Sequence, residues 1–264
     1  MMPDNLIYVY CLSHNRPELQ NIFGSENLSS LNFGDFYVVV KYVSESEFSE
    51  ENFKRNLSNV DWLEANAREH VDVIYQIMEN DTVIPFKFGT IFQAETSLGK
   101  FITDYSDSLI ENFDHIKGTE EWSLKIYCDR KMFIERIDEL SEEAAELEKQ
   151  IMASSPGKAF LLKRKKADLT EKEMDRICKK FGQEYFNDFK TLSESTSLSN
   201  LLPKEFTGRQ DTMILNASFL VKKSNVADFN NSVDLLKKKD ANSGFSIETS
   251  GPWPPFSFIS IKEK

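Results

Sequence analysis

The sequence predicts an α+β fold of two lobes, each a sheet with helices on one face. Three observations lead there. At 264 residues the chain is long enough for two domains of roughly 150 residues each. Windows of strand and helix periodicity alternate through both halves, and the connections are too long for simple meanders. Apolar residues make up 40% and aromatic residues 12% of the chain, with ten glycines and eight prolines. That composition supplies packed cores and few loops.

The elements follow in order. Leu6–Leu12 is β-branched, aromatic and nearly uncharged, hence a buried strand. Residues 13–32 are polar and hold Pro17 and Gly24, so they read as loop and short turns. Phe36–Val43 is the most β-prone window, apolar enough to be covered on both faces. The acidic run Ser44–Glu51 reads as a solvated loop or a helix start. Trp62, Leu63, Ala67, Val71, Ile74 and Met78 recur at helical spacing, so 59–78 is an amphipathic helix, capped by Ser58 or Asn59. Residues 82–92 alternate after Pro85, which suits an edge strand or an extended loop because proline cannot donate to a ladder. Ser97–Ile116 is helical.

Trp122–Cys128 alternates as a strand. In Lys131–Met152 the apolar residues Phe133, Ile137, Leu140, Ala144, Leu147 and Ile151 recur at alternating steps of four and three. Ser155-Pro156 restarts a helix, with Pro at its first position, and the pattern runs on to Leu192. The two helices form an antiparallel hairpin spanning about 131–198. Ser193–Asp211 reads as a connection, Met213–Val221 as a strand, Asn225–Lys239 as a helix and Phe245–Thr249 as a strand. Gly251–Pro255 is a rigid turn and Phe256–Ile261 a closing strand. The lobes divide as 1–117 and 118–264, with the boundary near Gly118.

Charge and motifs exclude several functions. A net charge of −11 disfavours a nucleic-acid face or attraction to anionic lipid. No apolar run reaches the roughly 20 residues that span a bilayer. The start Met1–Asn5 lacks the basic region of a secretory signal, so a cytoplasmic chain is expected, with Cys11, Cys128 and Cys178 as reduced, structural thiols. There is no phosphate loop, dinucleotide fingerprint, zinc helix or nucleophile elbow. His14, His70 and His115 are isolated in sequence, which leaves no metal or cofactor set. His70 reads as a boundary residue of its helix, with a general base beside Asp72 as the sharper alternative.

Two features remain. Lys163-Arg164-Lys165-Lys166 is the main basic cluster, either a solvated face or a dock for an acidic partner or an anionic ligand. Trp253, held between prolines, either closes a core or presents a rigid contact to a partner.

Longer strings carry a resemblance. They are Tyr8-Val9-Tyr10, the Trp62–Val71 helix with His70, Val83-Ile84-Pro85-Phe86-Lys87-Phe88-Gly89-Thr90-Ile91-Phe92, Glu121–Lys125, Ser155–Lys165, Asn216–Val221 and Gly251-Pro252-Trp253-Pro254-Pro255-Phe256-Ser257-Phe258. Together they resemble the gas vesicle accessory proteins of the GvpL/GvpF family along the whole length. Lys87 and Phe256 stand where Arg and Tyr are common in that family. The resemblance implies a non-enzymatic assembly factor or minor vesicle component, without cofactor, at the gas vesicle or in the cytoplasm. Its expected partners are the small hydrophobic shell protein and other assembly proteins, and it would limit shell aggregation during nucleation. It also implies that the second lobe is a modified ferredoxin-like fold with the helical hairpin inserted. An apolar strand edge would suit a strand-forming partner. The expected contacts are therefore Phe36 and Val39, or Pro85, Phe86 and Phe88, with Lys163, Arg164 and Trp253 as further partner-binding residues. The competing class is a ligand-binding regulator or enzyme on ferredoxin-like lobes, which would need a pocket with converging polar groups.

Overall fold

The computed structural model describes residues 5–20, 22, 26–239 and 244–262. The Gly24 turn and Met1–Asp4 lie outside the described residues. The chain forms two compact units, Met1–Glu121 with Pro252–Lys264, and Trp122–Gly251. This differs from a division at 117/118, because the last residues join the first unit.

In the first unit, β1 (Asn5–Ser13), β2 (Leu28–Phe33) and β3 (Phe36–Ser44) are followed by α1 (Glu45–Phe48), α2 (Glu50–Asn56) and α3 (Val60–Met78). Then come β4 (Val83–Pro85), β5 (Ile91–Phe92), α4 (Glu95–Asp104) and α5 (Ser106–Ile116). The sheet order is β2-β3-β1-β4, with β5 also on β1, and every pair is antiparallel. The Leu28–Phe33 strand escapes the sequence reading because Leu-Ser-Ser-Leu-Asn-Phe is polar and weakly β-prone. It forms because Gly34, at φ 68°, turns the chain directly into β3. A register shift between Val9 and Cys11 bulges β1 at Tyr10.

Tyr8, Tyr10, Val39 and Val43 share one buried cluster with Val73, Ile74 and Ile77 of α3. On the opposite face, Phe36 stacks on Phe113 of α5 and Phe33 lies against Gly99 of α4. Asn59 caps α3, accepting from the Trp62 amide. The buried stripe of α3 is His70, Val73, Ile74 and Ile77, turned from the expected one through Val71 and Met78. The single helix expected over 97–116 breaks at Tyr105 into α4 and α5.

The second unit holds β6 (Thr119–Cys128), which begins in the first, then α6 (Arg130–Glu135), α7 (Ile137–Leu140), α8 (Glu142–Met152) and α9 (Pro156–Lys190). After them come β7 (Ser195–Leu198), α10 (Lys204–Thr207), β8 (Thr212–Lys222), α11 (Val226–Lys239) and β9 (Phe245–Trp253). The order β7-β8-β6-β9 with crossover helices before β7 and β9 is the ferredoxin-like βαββαβ arrangement. The first sheet has the same strand permutation, its first crossover being a loop rather than a helix among the described residues. The helical faces converge on Leu124, Ile126, Met174, Phe189, Phe219 and Phe229.

Here too the structure departs from expectation. The connection after α9 contains β7, a short Ser-Thr-Ser-Leu strand. The expected closing strand 256–261 is instead a 3-10 turn, Phe256–Phe258, followed by irregular chain. It is held in the first unit by side chains. The Glu121 carboxylate accepts from the Ser257 amide at 3.0 Å and hydroxyl at 2.6 Å. Asn112 donates to the Ser260 carbonyl and accepts from its amide.

Gly182 lets α9 lie against the sheet backbone. A Cβ there would come within 2.7 Å of the Ile214 carbonyl oxygen. Helix propensity alone would make Gly182→Ala stabilising by about 1 kcal/mol. The contact predicts the opposite sign, a loss of about 1–3 kcal/mol, read from the urea midpoint.

Candidate protein-binding surfaces

The residues selected from sequence do not gather at one site. Phe36 and Val39 lie inside β3, which is paired with β1 on one side and β2 on the other, and Val39 is wholly buried. Phe36–Val43 is therefore not an edge. The apolar β1 and the polar β2 flank the most β-prone window, and the pairing with β2 is one its own composition does not reveal. Pro85 and Phe86 sit on the outer side of β1 but are buried, and the Phe86 amide donates inward to Tyr10. Phe88 is half-buried among the rings of Tyr8, Phe53 and His70. Lys163 and Arg164 are exposed on the first half of α9. Lys166, their neighbour, is tied to Asp138 and Glu148. Trp253 is 41% exposed, so it does not close a core, whereas Pro254 and Pro255 beside it are buried.

His70, the strongest general-base candidate, is saturated. It is 1% exposed, with Nδ1 at 2.9 Å from the Tyr8 hydroxyl and Nε2 at 3.0 Å from the Phe86 carbonyl. A carbonyl only accepts, so Nε2 carries the proton, and Nδ1 accepts from Tyr8. The Tyr8 oxygen in turn accepts from the Gly89 amide. Burial pushes the His70 pKa down to about 4, against the opposing pull of the Phe86 carbonyl and Glu69. Burial likewise raises that of Tyr8. Glu69 nearby binds Tyr10 at 2.7 Å and Lys41 at 2.8 Å. The result is a structural polar hub joining β1, α3 and the 86–89 segment. Asp72 is exposed and has no part in it.

An apolar concavity lies in the second unit. β8 has eleven residues and β7 four, paired from Ser195↔Leu220 to Leu198↔Ala217. Thr212–Asn216 thus continues past the end of its partner strand. There a groove of about 500 Å³ opens, lined by Cys178, Gly182 and Phe186 of α9, Met213 and Leu215 of β8, and Leu198 and Leu201. Leu198 is 62% and Leu201 53% exposed. β7 is also the sheet's outer strand. The signal was present in sequence as leucines stranded in a Ser-rich connection. Cys178 reaches this groove, and its thiol is held below the usual range by a hydrogen bond from Cys128 and by Arg130. Cysteines that are fifty residues apart are therefore neighbours.

Comparison with known proteins agrees with the fold. The structure matches the crystal structure of the gas vesicle protein GvpF from Anabaena sp. PCC7120 with a TM-score of 0.74 at 19% identity, over 98% of this chain and 100% of that one. The crystal structure of gas vesicle protein GvpF from Microcystis aeruginosa gives a TM-score of 0.68 at 18% identity, over 98% of this chain and 100% of that one. In sequence, gas vesicle protein L of Streptomyces sp. (strain CB03234) is 24% identical over 100% of this chain and 96% of its own length. Gas vesicle protein F of Nostoc sp. (strain PCC 7120) is 24% identical over 74% of this chain and 78% of its own. The family described as gas vesicle synthesis protein GvpL/GvpF matches residues 6–260. The chain belongs to the GvpL/GvpF family of gas vesicle proteins.

Proposed function

We propose that this chain is a non-catalytic assembly factor of gas vesicles that binds the small hydrophobic shell protein and limits its aggregation during nucleation. Its site of action is the gas vesicle or the surrounding cytoplasm, and its further partners are other vesicle assembly proteins. The observation that carries the reading is the apolar groove beside the free edge of β7. A strand-forming partner gains main-chain hydrogen bonds from an unpaired edge and side-chain contacts from an adjacent groove. This surface replaces Phe36–Val43 as the docking edge. The net charge of −11 favours solubility of a complex whose partner is apolar. The saturated His70 hub supports the absence of catalysis at that histidine.

The test is co-expression with the shell protein followed by affinity pull-down. Leu198→Asp with Leu201→Asp should reduce recovered shell protein at least about tenfold, equivalent to about 1.4 kcal/mol. Because both side chains are exposed, the melting temperature should stay unchanged. Undiminished recovery by this folded variant would show that the groove is not the shell site.

A further inference from the structure

The antiparallel hairpin of α8 and α9 ends in a surface unlike the rest of the protein. Residues 149–165 contain Lys149, Lys158, Lys163, Arg164 and Lys165 and no Asp or Glu, in a chain of net charge −11. Among the described residues none of these five cations forms an ion pair, whereas Lys166, just beyond them, is bound by Asp138 and Glu148. The same tip exposes Met152 at 81%, Phe160 at 71% and Leu161 at 67%. Isolated exposed apolar residues are ordinary, but three at one turn of one hairpin form a patch.

The tip also stands away from the unit's core. The first buried residue of α9 is Thr170, so residues 156–169, about 20 Å at 1.5 Å per residue, lie alongside α8 with no side chain fully buried. Along α9 the nearest acid to Lys158 is Asp168, about 15 Å away on the axis and close to two Debye lengths of about 8 Å.

We propose that this tip docks an acidic amphipathic α-helix of a partner protein. Charge complementarity selects an acidic partner, and the helical geometry selects its form. From Phe160 to Lys165 every backbone donor is used within α9, so these residues offer no edge for a strand. On α9 each apolar side chain has a cation one turn further on: Phe160 precedes Lys163 and Arg164, and Leu161 precedes Arg164 and Lys165. A helix with leucines on one stripe and glutamates beside it meets both. A bilayer surface would instead favour apolar side chains on one face and cations along its margins. This surface is separate from the groove, so it stands whether or not the groove holds the shell protein.

The probe is a synthetic helical peptide with leucine at i, i+3, i+4 and i+7 and glutamate elsewhere, titrated into the full chain. Its counterpart carries lysine in place of glutamate, and phosphatidylglycerol vesicles provide the lipid arm. The acidic peptide should bind at least about tenfold more tightly than the lysine peptide, with affinity falling as salt rises. The triple variant Lys163→Gln, Arg164→Gln, Lys165→Gln and the double variant Phe160→Ser, Leu161→Ser should each weaken it about tenfold. Both alter exposed positions, and an unchanged melting temperature confirms that they fold. Equal binding of the two peptides, or undiminished binding by the variants, overturns the proposal. Tighter binding to the vesicles than to the acidic peptide overturns it in favour of lipid.

Discussion

At pH 4 the first unit should be about 3 kcal/mol less stable than at pH 7 on account of His70 alone. In the unfolded chain the imidazole titrates near its ordinary 6.5, and in the fold burial holds it at about 4. The unfolded state therefore takes up the proton first. The stabilising difference is complete above pH 6.5 and is lost as the pH falls towards 4. About 2 kcal/mol should already be gone at pH 5. The geometry explains why the proton is resisted. Protonation would put a hydrogen on Nδ1, facing the Tyr8 hydroxyl, which donates there at present. That hydroxyl would have to turn away from its only strong acceptor among the described residues while already accepting from Gly89. Glu69 offsets part of the cost but is itself engaged by Lys41 and Tyr10. Urea denaturation at a series of pH values measures the slope, with His70→Gln as control. The parent should lose stability between pH 6.5 and 5 more steeply than the variant. Parallel slopes would mean that the buried ring titrates normally.

Removing residues 252–264 should destabilise the first unit by about 4 kcal/mol or more. The deletion takes away both donors to Glu121 from Ser257, both bonds between Asn112 and Ser260, and the Ser108 contacts with Ser260 and Lys262. Each ordinary bond contributes about 1 kcal/mol net, and those to a charged group about 1.5–3. Glu121 is 5% exposed, so its carboxylate would lose donors without gaining equivalent solvation unless the structure opens. Phe256, which packs on the same core cluster as Tyr8 and Val73, is lost as well. Chemical denaturation should show an early transition for the first unit. Ser257→Ala should produce a smaller shift of the same sign, since it removes the 2.6 Å hydroxyl bond and leaves the backbone donor in place. A truncated chain as stable as the parent would mean that the segment merely rests on the unit.

Much of the architecture is legible because apolar periodicity is strong where elements are long. The Trp62 helix, the Pro156 start of α9 and the Met213 strand all announce themselves within a residue or two. What escapes is pairing that long-range contacts impose on weak local sequence. β2 and β7 are Ser-rich and form because β3 and β8 present edges to them. That same omission makes Phe36–Val43 look like a free edge. The apolar stretch Phe256–Ile261 reads as a strand because local sequence cannot see the Glu121 and Asn112 side chains that hold this segment. His70 and Phe88 stand out as residues in a family string, but their burial in one hub depends on bringing β1, α3 and the 86–89 segment together. The basic tip is read from composition alone, and only its exposure required the structure.

Because the first unit is closed by residues from the far end of the chain, its completion is tied to the order of synthesis. A ribosome adding about 5–20 residues per second needs on the order of ten seconds to proceed from Glu121 to Ser260. For that interval Glu121 and Asn112 wait without their C-terminal partners, while the contiguous second unit can already close. The unit translated first is thus the one finished last.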